Sequence, residues 1–199
     1  MEFLVVVKRD CETCQLVEPV LAAMAEGHTL TVYSQDDPAF PESLGGAQDD
    51  QDLATSWRLK VETVPTVIRL DNGEEVGRTV GWDRAEWAQL TGIATLGEDL
   101  PAFRPGCGSR TMDPGVPEQL ALKYGDLVLE ARVIDVDDND DAAEVAFDRG
   151  WTDGLPITSP TDLRIARMLA GTTRSPDEIL GAIPPNLIDC TIEKAAINA

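Results

Sequence analysis

The feature that most constrains this chain is the pair Cys11-Glu12-Thr13-Cys14, set directly after the apolar run Phe3-Leu4-Val5-Val6-Val7 and opening the stretch Gln15 to Ala25. The apolar run reads as a buried strand and the stretch after it as a helix. A strand that delivers two cysteines to the start of a helix suits thiol–disulfide chemistry. The first cysteine meets unpaired backbone N–H groups that favour a thiolate. The second lies about one turn further in, close enough to close a small disulfide ring. The spacing alone also serves zinc sites; its place between strand and helix favours the redox reading.

The chain continues in the same vein. His28 to Tyr33 alternates β-branched and aromatic residues and reads as a second strand. Ser34 to Asp50, rich in Asp, Pro and Gly, reads as a loop, and Asp52 to Leu59 as a short helix. Thr63 to Leu70 reads as a strand with Pro65 near its start, where a missing N–H costs little. Asp71-Asn72-Gly73-Glu74 is a hairpin turn, because Asn-Gly tolerates the positive φ it needs. The return strand runs Glu75 to Val80. A last helix, Arg84 to Thr91, stops at Gly92.

Several of these pieces occur together in one known family. The strand–Cys11-x-x-Cys14–helix unit, Pro19, Val64-Pro65-Thr66, the Asn72-Gly73 hairpin and Gly81 resemble the shorter form of the thioredoxin family over residues 1–93. The resemblance implies a central mixed sheet flanked by helices and a first helix kinked at Pro19. It implies a cis Val64-Pro65 bond beside Cys11 and Cys14, and a substrate chain pairing with backbone at Val64, Pro65 and Thr66. Cys11 and Cys14 are then the catalytic residues of a thiol–disulfide oxidoreductase that needs no cofactor and no metal, acting on a protein or small-molecule disulfide.

Two departures from that pattern bear on reactivity. Arg9-Asp10 stands before Cys11 in place of the family's usual residues, and Val5 aligns with a buried carboxylate often found beneath the cysteines. Asp10 and Glu12 flank Cys11 with negative charge. A like charge about 4 Å away costs roughly 1–4 kcal/mol, against about 0.3–2 kcal/mol returned by the helix terminus. A weakly acidified thiol is expected, and with it a reductant or mild exchanger.

Composition excludes several classes. A net charge of −20 argues against nucleic acid and anionic membranes as partners. No apolar stretch approaches the roughly 20 residues of a membrane helix. Met1-Glu2 leads straight into a strand without a secretory leader, so a cytoplasmic protein is expected.

The second half differs in character. Residues 1–95 form the thioredoxin-like α/β domain, 96–117 read as a Pro/Gly-rich linker carrying Cys107, and 118–199 as a small, loop-rich α+β region. Leu127 to Ile134 reads as a strand. Asp135 to Asp141 reads as a solvated acidic loop, since it lacks the glycine and final glutamate of a helix–loop–helix calcium site. Ser159-Pro160-Thr161-Asp162 caps a helix, and Ser175-Pro176-Asp177-Glu178 reads as a second such start. Cys190 to Ala199 reads as an apolar-faced helix. Trp151-x-Asp153-Gly154-Leu155-Pro156, Pro184-Pro185-Asn186-Leu187 and the segment Thr191 to Ala199 resemble a bacterial family named for a selenocysteine- or cysteine-Gly-Ser-Cys motif. Cys107-Gly108-Ser109 matches three of its four positions, with Arg110 in place of the last cysteine. That resemblance implies a truncated or split region able to seek a partner subunit.

Cys107 is a candidate relay thiol for the Cys11/Cys14 pair. Cys107 and Cys190 could instead join that pair on zinc, though no second closely spaced pair supports it. Cys190 also reads as a small buried hydrophobe. His28 reads as structural, and the four tryptophans as core or rim residues, with Trp82 nearest the cysteines. The rival to an enzyme is a non-catalytic binding or assembly module docking a partner through the C-terminal half.

Overall fold

The computed structural model describes residues 1–137 and 139–199; Asp138, inside the acidic run, lies outside the described residues. The chain divides into two units, Met1–Leu120 and Ala121–Ala199.

The first unit is built on β1 (Glu2–Val7), whose apolar run is continuous because it is the middle strand. The chain passes through α1 (Glu12–Leu16) and α2 (Glu18–Gly27) to β2 (Thr29–Ser34), parallel to β1. A 3₁₀ turn and the short β3 (Gln48–Asp49) on the outer edge of β2 interrupt the expected loop. After α3 (Ala54–Arg58), β4 (Thr63–Val64) and β5 (Thr66–Asp71) part at Pro65, where the peptide is cis. β5 pairs antiparallel with the free side of β1, and β6 (Glu74–Val80) returns beside β5. The sheet order is β3-β2-β1-β5-β6, a mixed sheet flanked by helices with thioredoxin-like topology. β7 (Trp82–Asp83) leads into α4 (Arg84–Thr91), capped by the Asp83 carboxylate.

Phe3, Val5, Val6 and Val7 are fully buried against Leu21, Met24, Val67, Trp82 and Trp87. Each such side chain stabilises the fold by about 1.5–3 kcal/mol. The expected single kinked helix is two helices that part at Val17, with Pro19 in the first turn of the second. There its missing N–H would be unpaired in any case.

Residues 96–117 are not a free linker. Leu96 is buried, the Trp82 indole N–H donates to Pro101 O at 2.6 Å, and Arg84 N donates to Ala102 O at 2.9 Å. β8 (Phe103–Arg104) pairs with β7, and β9 (Cys107–Gly108) pairs antiparallel with β4. Composition misleads here because two-residue strands carry no periodicity; their backbone groups find partners only in the folded unit. The boundary between the units falls inside α5 (Val116–Tyr124).

The second unit is loop-, helix- and strand-rich. It holds α6 (Ala142–Asp148, capped by Asp141), α7 (Asp162–Leu169, capped by Thr161), the hairpin β10 (Ile179–Ile183) with β11 (Ile188–Thr191), and α8 (Ile192–Ile197). Three readings change. Leu127 to Ile134 forms no strand; the N–H groups of Glu130 and Ala131 donate instead to the buried Glu193 carboxylate, at 3.1 and 2.9 Å. Ser175 to Glu178 is a turn, because the β-prone Ile179–Ile183 that follows pairs across the Pro184–Leu187 turn rather than coiling. Cys190 lies in β11, so the last helix begins at Ile192.

Candidate functional site

Cys11 is the N-cap of α1. Its backbone is extended (φ −149°, ψ 111°), its carbonyl accepts from Gln15 N at 3.0 Å, and its sulfur accepts from Cys14 N at 3.3 Å. This is the ordinary capping arrangement with sulfur in the place of a hydroxyl. Cys11 Sγ also lies 3.6 Å from Val64 O. Both thiols are covered: Cys11 is 3% exposed and Cys14 is fully buried.

A third thiol completes the site. β9 sets Cys107 opposite Val64, and its Sγ lies 2.6 Å from Cys11 Sγ, against about 2.05 Å for a disulfide bond. All the cysteines are free thiols, and Cys107 is partly exposed. The segment is clamped on both sides. Arg104 pairs with Glu12, and Thr13 Oγ1 donates to Pro105 O at 2.7 Å. Ser109 N donates to Glu62 O at 3.0 Å. The buried Gln35 amide donates to Ser109 Oγ at 2.7 Å, while its oxygen accepts from Arg110 N at 3.0 Å. Arg110, the residue that departs from the four-residue motif, thus anchors the loop. Gly106 is required by close approach: a Cβ there would stand 2.4 Å from Thr63 Cγ2 and 2.8 Å from Val64 O.

The electrostatics follow from these contacts. The Cys11 thiol is drawn down to about 5, chiefly by hydrogen bonding with the Cys14 thiol, then with the Cys107 thiol and the Cys14 and Thr13 backbone, against the cost of burial. Burial pushes Cys14 far up, reinforced by its contact with the Cys11 charge. Burial also raises Cys107, with the Cys11 interaction next and Lys8 working the other way. The expectation of a weakly acidified Cys11 therefore fails: Glu12 is taken up by Arg104, and short contacts outweigh exposed flanking acids. The site resembles one anion shared among three sulfurs, resting on Cys11.

Of the residues expected to hold a substrate chain, Val64 and Pro65 are buried, and Val64 is already paired with Cys107. Pro65 O accepts from Gly81 N at 2.8 Å. Thr66 lies in β5, paired with Val6 on one side and Val80 on the other. A strand of the chain itself thus occupies the Val64 edge. Trp82 is fully buried, edge-on to Trp87 with ring centroids 5.1 Å apart, and its indole N–H holds the 96–104 segment through Pro101 O. His28 Nε2 lies 3.1 Å from Thr91 O and its ring packs on Phe3. Cys190 belongs to the second unit. Sequence reasoning missed Gly106, Gln35, Thr13 and Arg104. The one signal is a glycine in each of the two segments whose backbones meet, Gly81 and Gly106; a Cβ on Gly81 would lie 2.7 Å from Gly106 N.

Among the described residues, no group of three or more His, Cys, Asp or Glu side chains is placed to hold a metal ion, and no helix is long and apolar enough to cross a membrane. No family model matches the chain, so the C-terminal motif resemblance rests on its residues alone. The chain is similar to Thioredoxin H2-1 of Oryza sativa subsp. japonica, 34% identical over 76 residues that make up 38% of this chain and 47% of that protein. It spans about half the length of that relative. Together with the topology, this makes the first unit thioredoxin-like.

Proposed function

We propose that the protein is a thiol–disulfide oxidoreductase working through Cys11 and Cys14, exchanging its dithiol with a protein or small-molecule disulfide. The observation that carries this is the placement of the Cys11 sulfur as a helix N-cap beside a second thiol, on a thioredoxin-like unit, where hydrogen bonding draws its pKa down to about 5. The thiolate attacks one sulfur of a substrate disulfide; that S–S bond breaks, one substrate thiolate leaves, and Cys11 carries the other as a mixed disulfide. Cys11 then bears no charge, so its share of the opposition to Cys14 ionisation falls away. Cys14 gives its proton to the departing sulfur and attacks Cys11, closing the Cys11–Cys14 ring and releasing the second substrate thiol. The substrate gains two electrons and the pair loses them.

The test is single turnover of the reduced protein with oxidised glutathione, followed by peptide mapping. The expected result is two glutathione equivalents released and a Cys11–Cys14 disulfide, with Cys11→Ser unable to form that ring. A wild-type protein that never acquires it sinks the reading.

A second reading has its own support. The second unit exposes Val133, Leu155, Ile183, Leu187 and Ile188, apolar side chains that a bound partner would cover. A docking role for that half, with the first unit as a scaffold, predicts a stable complex and no ring formation. Size-exclusion chromatography with light scattering, with and without a co-purified partner, separates the two.

A further inference from the structure

The exchange proposed above leaves Cys107 without a task, although its sulfur is the nearest to Cys11 from another part of the chain. From the geometry we infer that Cys107 is the entry thiol of the site: a low-molecular-weight disulfide reacts at Cys107 first, and Cys11 then collects the sulfur from it.

Three observations carry this inference, which rests on the Cys11/Cys14 reading. The first is access. Cys14 is fully buried and Cys11 is 3% exposed beneath the 104–109 segment, while Cys107 is partly open. A disulfide arriving from solvent meets Cys107 before Cys11. The second is position. β9 is paired to β4, and Arg104–Glu12 and Thr13–Pro105 hold its approach, so the Cys11 and Cys107 sulfurs are kept at reacting distance without a search. The third is the occupied edge: a substrate peptide cannot pair with Val64 while Cys107 does, whereas a small disulfide needs no strand to pair with.

The steps balance. Cys107 attacks a disulfide R–S–S–R, its proton passing to the departing sulfur, and one R–SH leaves. Cys11, already a thiolate, attacks the Cys107 sulfur. The Cys107–S–R bond breaks, a Cys11–Cys107 disulfide forms, and the second R–S⁻ departs. Cys14 gives its proton to that thiolate and attacks Cys11. The Cys11–Cys107 bond breaks, the Cys11–Cys14 ring forms, and Cys107 leaves as a thiolate. The external disulfide is reduced to two thiols, the Cys11/Cys14 pair is oxidised, and Cys107 ends as a thiolate, holding the charge that Cys11 held at the start.

The experiment uses the full chain and oxidised glutathione as the probe, with quenched mass mapping of every cysteine. Cys14→Ser is expected to accumulate a Cys11–Cys107 disulfide, and Cys11→Ser a lasting glutathione adduct on Cys107. Cys107→Ser, which keeps a hydroxyl donor beside Cys11, is expected to form the Cys11–Cys14 ring slower by about tenfold or more. Glutathione trapped on Cys11 with Cys107 free in the Cys14→Ser protein would overturn the inference, as would ring formation at the wild-type rate in Cys107→Ser. Either outcome leaves the Cys11/Cys14 reading standing; that reading fails separately, if the wild-type ring never forms.

Discussion

The two units spend their apolar residues differently. In the first, strands of six or seven residues give whole runs of side chains a common surface, and Phe3, Val5, Leu21, Trp82 and Trp87 disappear into it. In the second, Ala146, Ile165, Ala166 and Leu169 are buried, while Ile179, Ile183 and Ile188 of the hairpin stay more than half exposed. A two-stranded ribbon has no third strand or covering helix over both faces, so its apolar residues have nowhere to go. Similar residue types therefore yield a rigid platform in one case and an open surface in the other. The three neighbouring sulfurs, Cys11, Cys14 and Cys107, sit on the platform.

The sharpest way to break this contrast is Phe3→Ala, which empties a fully enclosed position. It is expected to destabilise the first unit by about 3–5 kcal/mol in chemical denaturation. Ile183→Ser, at a residue 53% exposed, is expected to change stability by no more than about 0.5 kcal/mol. Equal effects would erase the distinction between the units. Glu193→Ala removes a buried carboxylate that two backbone N–H groups use, at an expected cost of about 1–3 kcal/mol. Hydrogen exchange should show the loss locally, at Glu130 and Ala131.

Smaller effects sharpen the picture at the sulfurs. Because Cys11 titrates near 5 in the fold and near 8.5 in an unfolded chain, the fold favours its ionised form. Its contribution is therefore full above about 8.5 and is lost as pH falls through about 5. Cys14 and Cys107 are raised, so their contributions are present below about 8.5 and decline as pH rises beyond it. The stability difference between reduced wild type and Cys11→Ser should widen from pH 5 to pH 8, and alkylation of Cys11 should follow the same low midpoint. A midpoint near 8.5 would return Cys11 to an ordinary thiol. Last in size is Arg104→Ala, which removes a surface ion pair with Glu12 worth about 0–1 kcal/mol. Its effect should register in the rate of Cys11–Cys107 linkage in the Cys14→Ser background rather than in stability.

Much of the first unit is legible in the amino-acid order because its signals are local. The run Phe3–Val7 announces a central strand, Asn72-Gly73 a hairpin, Asp83 and Gly92 the two ends of a helix, and Cys11-x-x-Cys14 its own place at a helix start. The second unit misled at Leu127 to Ile134, where β-prone residues find no neighbouring strand and a distant carboxylate takes their N–H groups. Residues 96–117 misled more, since proline and glycine mark flexible connections as readily as backbones pressed together.

Local patterning settles where strands and helices begin and which two cysteines stand a turn apart, because those depend on residues near in the chain. The meeting of Cys107 with Cys11 across 96 positions, the closure of the Val64 edge and the strength of the Cys11 acid are settled only by packing. They follow from which backbone groups remain to be paired once the sheet has formed, and from how closely two glycines allow the chain to approach itself.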